Sequence, residues 1–215
     1  MVQYLPAFAE GFWITAEVSI ISIIGSFVIG ILIAMMRVSN NKILNVVSSI
    51  YVDLFRNIPF IVLIFFGYYG LPEINIYLDA FWTGCLVLSI AVGAYVGETL
   101  RAGILSIDKG IIEAAKSFGF SKYRIYSKII LPIALTTSIR PLGSVFINLI
   151  LTTSILSAIT LNELTGASKV IASTTFRPFE VYVFLVIFYG ALTFAISGLI
   201  SMWHNRLNHY KGEGS

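Results

Sequence analysis

Long apolar runs separated by short polar ones dominate the chain, and the lengths of the runs decide the fold class. Five of them, at about residues 12–36, 43–69, 81–105, 129–160 and 181–203, are long enough to cross the roughly 30 Å hydrocarbon core of a bilayer as helices. Glycine, proline or charge interrupts each run, as is common where helices pack on one another inside a membrane. The pattern predicts an all-α, polytopic bundle of about five transmembrane helices.

The longest charged interval, within the loop at 106–128 and running on to Pro132, lies between the third and fourth runs. After Asp108, residues Ile111, Ala115 and Phe118 fall at i, i+4 and i+7, which predicts a short helix with one apolar stripe and with Glu113 and Lys116 pointing elsewhere. Gly119 permits a left-handed stop, and Ser121 is placed to N-cap a second helical piece carrying Lys122, Arg124 and Lys128. A helix-glycine-helix elbow at the membrane surface is the expectation.

Composition agrees: 215 residues that are 57% hydrophobic and 12% charged cannot hide their apolar surface in one water-soluble core. No internal repeat, low-complexity linker or soluble domain interrupts the chain, so residues 1–215 read as a single transmembrane domain. Lysine and arginine set its orientation. Arg37 and Lys42, then Lys109, Lys116, Lys122, Arg124 and Lys128, then Arg206 and Lys211, occupy alternate loops and the C-terminus, whereas the opposite loops hold only Lys169 and Arg177. The positive-inside rule puts the Glu113 loop and the C-terminus in the cytoplasm and the N-terminus outside. The net charge of +3 reflects this bias. It implies no nucleic-acid binding, because the basic residues are scattered and lack interleaved aromatics. The first run exceeds a signal-peptide core and ends in Met36-Arg37-Val38-Ser39-Asn40, not at a small-residue cleavage site, so it is read as retained.

Candidate chemistry lies inside the runs. In the second, Asp53 and Arg56 stand at i, i+3 near mid-membrane, where one charge costs about 3 kcal/mol or more; they serve either as a structural ion pair or as solute contacts. Pro59 lacks an N–H and crowds the carbonyl of Phe55, so the helix is expected to break or kink and to expose amides around Asn57 and Pro59, a setting suited to a carboxylate. The third run repeats the theme with Tyr95, Glu98, Thr99 and Arg101; Glu98 lies deep, and Arg101 either joins it or snorkels to the cytoplasmic surface. The fourth carries Pro132, Arg140-Pro141, Asn148 and Thr152-Thr153-Ser154, and is expected to be kinked; its hydroxyls either line a path or bond back to the preceding turn. Gly25 and Gly30 in the first run permit close helix approach, though a lipid-facing role suits them equally. Leu161 to Ser168 reads as the start of an outer loop, and His204 and His209 as solvated at the cytoplasmic exit. Cys85 is the single cysteine, so no disulfide and no cysteine metal site is available within the chain.

These residues together resemble the polar amino acid permease family of ABC importers, the histidine/glutamine type. The resemblance rests on Asp53 through Pro59, on Ala94-Tyr95 with Glu98, Arg101 and Gly103, and on Glu113-Ala114-Ala115 with Gly119 and Ile129 to Pro132. Thr153-Ser154 and Glu163-Leu164 continue it, so that it spans about residues 12–205. The family implies a bundle of about five helices in which two permease subunits, identical or different, pair around a path. It also implies ABC ATPase subunits that dock on the elbow, through Glu113, Ala114, Ala115, Lys116, Phe118 and Gly119, and an extracytoplasmic amino-acid-binding protein. No cofactor or metal is expected in this chain, since ATP and Mg belong to the partner ATPase. Arg56, Asn57, Pro59, Asp53, Tyr95, Glu98, Arg101, Thr152, Thr153 and Ser154 are the candidate substrate residues, with the arginine side meeting a carboxylate and Glu98 or Asp53 an ammonium. Where the family usually has Lys-Asp/Glu before Thr-Ser, this chain has Leu151 and Thr152. That departure favours neutral or acidic amino acids, glutamine- or glutamate-like, or else a subunit that is the non-binding half of a heterodimer; another small solute is the alternative. An intramembrane enzyme is disfavoured because no histidine lies within a span to activate a nucleophile. A passive channel or scaffold is the remaining rival.

Overall fold

A computed structural model describes residues 2–209; Lys211, part of the C-terminal charge bias, lies outside them. Every regular element among the described residues is helical. The helix α1 (Leu5–Arg37) carries proline in its first turn, where the missing N–H leaves no bond unmade, and crosses the whole membrane thickness. Next comes α2 (Lys42–Asn57), whose first amides are capped by the Asn41 side chain. At Ile58 and Pro59 the backbone turns extended, and α3 (Phe60–Phe65), continued through wide and then tight turns to Ile74, leaves at 103° to α2. The expected disturbance at Pro59 is thus a complete break.

The central helix, α4 (Ala80–Leu105), is N-capped by Asp79 and packs along α1. Small residues make that approach possible: a Cβ on Gly30 would run into Val96, and one on Gly97 would come 2.7 Å from Ile33 Cγ2. Gly30 therefore faces a neighbouring helix and not lipid. Val18, Leu88 and Val96 of this pair, with Ile64 of α3, form the main core together with Leu149 and Leu156 from the helix that follows the elbow.

The elbow follows the local signals closely. In α5 (Lys109–Ser117) Asp108 accepts from the Gly110 N–H, and the helix ends where Gly119 adopts φ +75°. The Gly119 amide bonds Lys116 O at 2.9 Å and the Phe120 amide bonds Ala115 O at 3.1 Å, which satisfies the last carbonyls in a Schellman arrangement. Ser121 then caps α6 (Lys122–Ile125) through the Arg124 amide. One expectation is corrected: the inward face is Ile112 and Ala115, packed with Ile107, Ile125 and Ile130, whereas Ile111 is exposed and Phe118 is 82% exposed.

A widened turn, Tyr126–Ile130, leads into α7 (Leu131–Thr152), which runs unbroken through Pro132 and Pro141 and passes into a tight 3-10 run, Thr153–Ile159. After the left-handed Thr160 comes α8 (Leu164–Thr175), a short helix where the sequence suggested a loop, and then α9 (Pro178–His209). The outward faces of α1 and α9, with Ile24, Val28, Leu32, Ile187, Phe194 and Leu199, are apolar and suit lipid.

Candidate functional site

The face that α7 leaves exposed differs from those of α1 and α9. Thr137, Arg140, Ser144 and Asn148 recur along it at helical spacing and are all exposed, although they lie within a span of membrane-crossing length. Polar groups at that depth face protein or water and not hydrocarbon. A cavity opens beside each end of this stripe.

The first, about 390 Å³, lies between α2, α4 and α7 and is lined among others by Arg56, Tyr95, Glu98, Thr137, Ser138 and Pro141. Ser138 donates to Thr99 O at 3.3 Å, and a Cβ on Gly103 would lie 2.9 Å from Ala134 O, so α4 and α7 close its floor tightly. The helix break frees the end of α2, and the Arg56 guanidinium lies over the Tyr95 ring at 5.3 Å while the Tyr95 hydroxyl donates to Arg56 O at 3.3 Å. The spacing of Asp53 and Arg56 does not yield an ion pair: the only two bridges among the described residues both end on Glu98. Asp53 is exposed, its carbonyl accepting from the Asn57 side chain at 2.6 Å, and Pro59 is exposed at the break.

Glu98 is gripped from two sides. Arg101 Nε donates at 3.0 Å to each of its oxygens, so Arg101 pairs and does not snorkel, and Arg37 Nη2 reaches Glu98 Oε2 at 3.2 Å. Arg37 also donates to Ser49 Oγ, while Asn45 donates to the Arg37 carbonyl at 2.6 Å. Sequence reading treated Arg37 as an orientation charge in a loop and missed this role. Of these charged groups, Arg56 and Glu98 line the cavity itself, and Arg37 and Arg101 hold Glu98 from behind.

The second cavity, about 630 Å³, lies toward the other end of α7 and is lined by residues including Leu151, Ser154, Thr165, Leu185, Tyr189 and Thr193. All three hydroxyl residues proposed in the fourth run bond back to carbonyls of the preceding turn, those of Asn148, Ile150 and Leu151, and of the three Ser154 lines this cavity. Behind this cavity Glu163, fully buried, caps α8 by accepting from the amides of Thr165 and Gly166, each at 2.9 Å. It also accepts from Tyr189 of α9, and Thr15 of α1 accepts from the Leu164 amide at 3.1 Å, so one buried cluster joins three helices. Glu163-Leu164 stands among the residues that carry the family resemblance, but the cluster itself is not legible locally, because Thr15 lies 148 residues from Glu163.

At the elbow the structure exposes Glu113, Ala114, Lys116, Phe118 and Gly119 and buries Ala115. Phe120 and Tyr123 stand exposed beside them, an aromatic surface that the sequence reading did not include.

Residues 26–209 match the family described as binding-protein-dependent transport system inner membrane component. The chain is 38% identical over 200 residues to the probable glutamine ABC transporter permease protein GlnM of Bacillus subtilis, covering 93% of each chain. It is 31% identical over 205 residues to the glutamine transport system permease protein GlnP of Escherichia coli, covering 94% of each. Among solved structures, an amino acid ABC transporter crystallised with histidines superposes with a TM-score of 0.89 at 32% identity, covering 96% of each chain.

Proposed function

From the premise that this chain belongs to the binding-protein-dependent transport inner membrane components and is a permease subunit of an amino acid ABC importer, we propose that it passes neutral or acidic polar amino acids, glutamine-like, along the exposed stripe of α7. The observation that carries the reading is the cavity at Arg56: its guanidinium faces an open space, stacked on Tyr95 and without a carboxylate partner among the described residues. A guanidinium so placed receives an α-carboxylate by charge-assisted hydrogen bonds, with the first amides of α3, beyond the Pro59 break, as further donors, since the Ile58 amide already bonds Leu54 O at 3.2 Å. Glu98 has its oxygens engaged by Arg37 and Arg101 and serves in this scheme to hold those two arginines in place. The unpartnered Arg56 guanidinium, with Glu98 already occupied, disfavours a cationic side chain, and the Bacillus and Escherichia relatives are named for glutamine.

The N-terminus lies outside and the elbow in the cytoplasm, where a separate ATPase subunit grips Glu113, Ala114, Lys116 and Phe118; a second permease subunit completes the path, and a binding protein delivers the solute from outside. ATP-driven closure of the partners rocks the elbow and exposes the cavities alternately.

The test is the ATPase activity of the reconstituted complex, with its binding protein, across a panel of amino acids. Stimulation by a polar neutral or acidic amino acid, lost in Glu113→Lys and strongly reduced in Arg56→Ala, is expected. An Arg56→Ala complex that transports at the wild-type rate removes Arg56 from the path.

A further inference from the structure

The outer cavity has a chemistry of its own, set by where its hydroxyl protons go. Every polar neighbour of the buried Glu163 donates to it: the Thr165 and Gly166 amides, the Tyr189 hydroxyl at 2.9 Å and the Thr15 hydroxyl at 3.5 Å. Tyr189 has one hydroxyl proton, and it goes to Glu163. In the 3.1 Å contact between Tyr189 and Thr165 the threonine is therefore the donor. A directed chain results, from Thr165 to Tyr189 to the carboxylate. The two remaining hydroxyls of the wall also turn their protons away: Ser154 donates to Leu151 O at 2.7 Å and Thr193 to Tyr189 O at 2.9 Å. All four hydroxyls thus have their protons engaged elsewhere and only acceptor capacity left for a ligand, and the Glu163 carboxyl group stands directly behind Tyr189 and one hydroxyl further from Thr165. None of the lining side chains is charged.

We infer that this outer cavity receives the ammonium group of the travelling amino acid, an inference that rests on the chain being the path of an amino acid importer. An ammonium offers three donors and no acceptor, which matches a wall of acceptors; a carboxylate finds no free donor there. The directed chain strengthens each bond that Tyr189 and Thr165 accept, because hydroxyls that donate along a chain of hydrogen bonds become better acceptors. Ser138 of the inner cavity and Ser154 of the outer one are separated by roughly 24 Å of helix rise, more than the length of an amino acid. The two cavities are thus successive stations: the outer selects by the ammonium and the inner by the carboxylate.

The experiment compares two ligands that differ only at that group, L-glutamine and its des-amino analogue glutaramate. Equilibrium binding of each is measured on the detergent-purified complex of permease and ATPase, without binding protein, for wild type, Tyr189→Phe and Thr165→Val. Both variants keep the packing shape, and co-purification of the ATPase checks that the complex is assembled. Wild type should prefer glutamine, and each variant should weaken glutamine by about tenfold, the scale of one charge-assisted hydrogen bond, while glutaramate is unchanged. Equal weakening of both ligands would make the cluster purely structural and overturn the inference, as would no change in either. If wild type responds to another polar amino acid instead, that compound and its own des-amino analogue take the place of the glutamine pair. If no amino acid binds or drives the ATPase, the transport reading fails and takes this inference with it.

Discussion

Glu98 is shared by two arginines, and sharing makes the three residues unequal in a way that can be measured. The side chains of Arg37, Glu98 and Arg101 are 18%, 22% and 27% exposed, so the cluster stands between a surface pair and a buried one. Removing one partner of a fully buried pair costs about 3–5 kcal/mol and of an exposed pair about 1 kcal/mol or less, and the partial exposure here places Glu98→Gln at about 2 kcal/mol, since it strands two guanidinium groups at once. Arg37→Met or Arg101→Met leaves Glu98 held by the other arginine and should cost about 1 kcal/mol or less. For a chain of this size 1 kcal/mol corresponds to about 2–4 °C, so the midpoint should fall by about 4–8 °C in Glu98→Gln and by no more than about 2–4 °C in either arginine variant. Cys85, buried in the core against α1, supplies the readout: pulse labelling of this thiol with a maleimide along a temperature ramp, quantified by mass spectrometry, reports opening of the bundle. If Arg37→Met lowers the midpoint as far as Glu98→Gln, the carboxylate is not shared and the cluster is a single pair with a bystander.

Gly119→Ala meets no atom within 4 Å of its new Cβ, so its cost is purely conformational, about 1 kcal/mol for a left-handed alanine, and it should appear as faster hydrogen exchange of the Gly119 and Phe120 amides with the transmembrane helices unchanged. Single cysteines at Thr137, Ser144 and Asn148, in a Cys85→Ser background, should react with a membrane-impermeant thiol reagent in the reconstituted complex, whereas cysteines at Ile24 and Val28 should not; equal reactivity of the two sets would remove α7 from the path.

How much of this was readable in advance depends on how far each signal reaches along the chain. The elbow was legible almost residue by residue, because Asp108, Gly119 and Ser121 act on amides two to five residues away. Even there the orientation of α5 was not, since a nine-residue helix offers several apolar stripes and only the partners Ile107, Ile125 and Ile130 select Ile112 over Ile111. The break at Pro59 was legible, but its consequence for Arg56 was not: an i, i+3 spacing promises a pair only while neither side chain has a better neighbour, and Tyr95 comes from another helix. Arg37 and Glu163 were hidden for the same reason, their partners lying 61 and up to 148 residues away. What local rules supplied was the parts; which side chains meet is set by packing between helices.

The glycine contacts between α1 and α4 bear on how the molecule moves. With Gly30 seated against Val96 and Gly97 against Ile33, neither helix can slide or roll without collision, so the pair is a keel rather than a gate. Elsewhere the packing is less complete: α3 departs from α2 at 103°, and much of the outer face of α9 is exposed, while Tyr189 and the Gly143–Ile200 contact hold that helix to its neighbours. In the proposed alternation between outward and inward openings this central spar stays whole, so substitutions that loosen it should blunt both openings together.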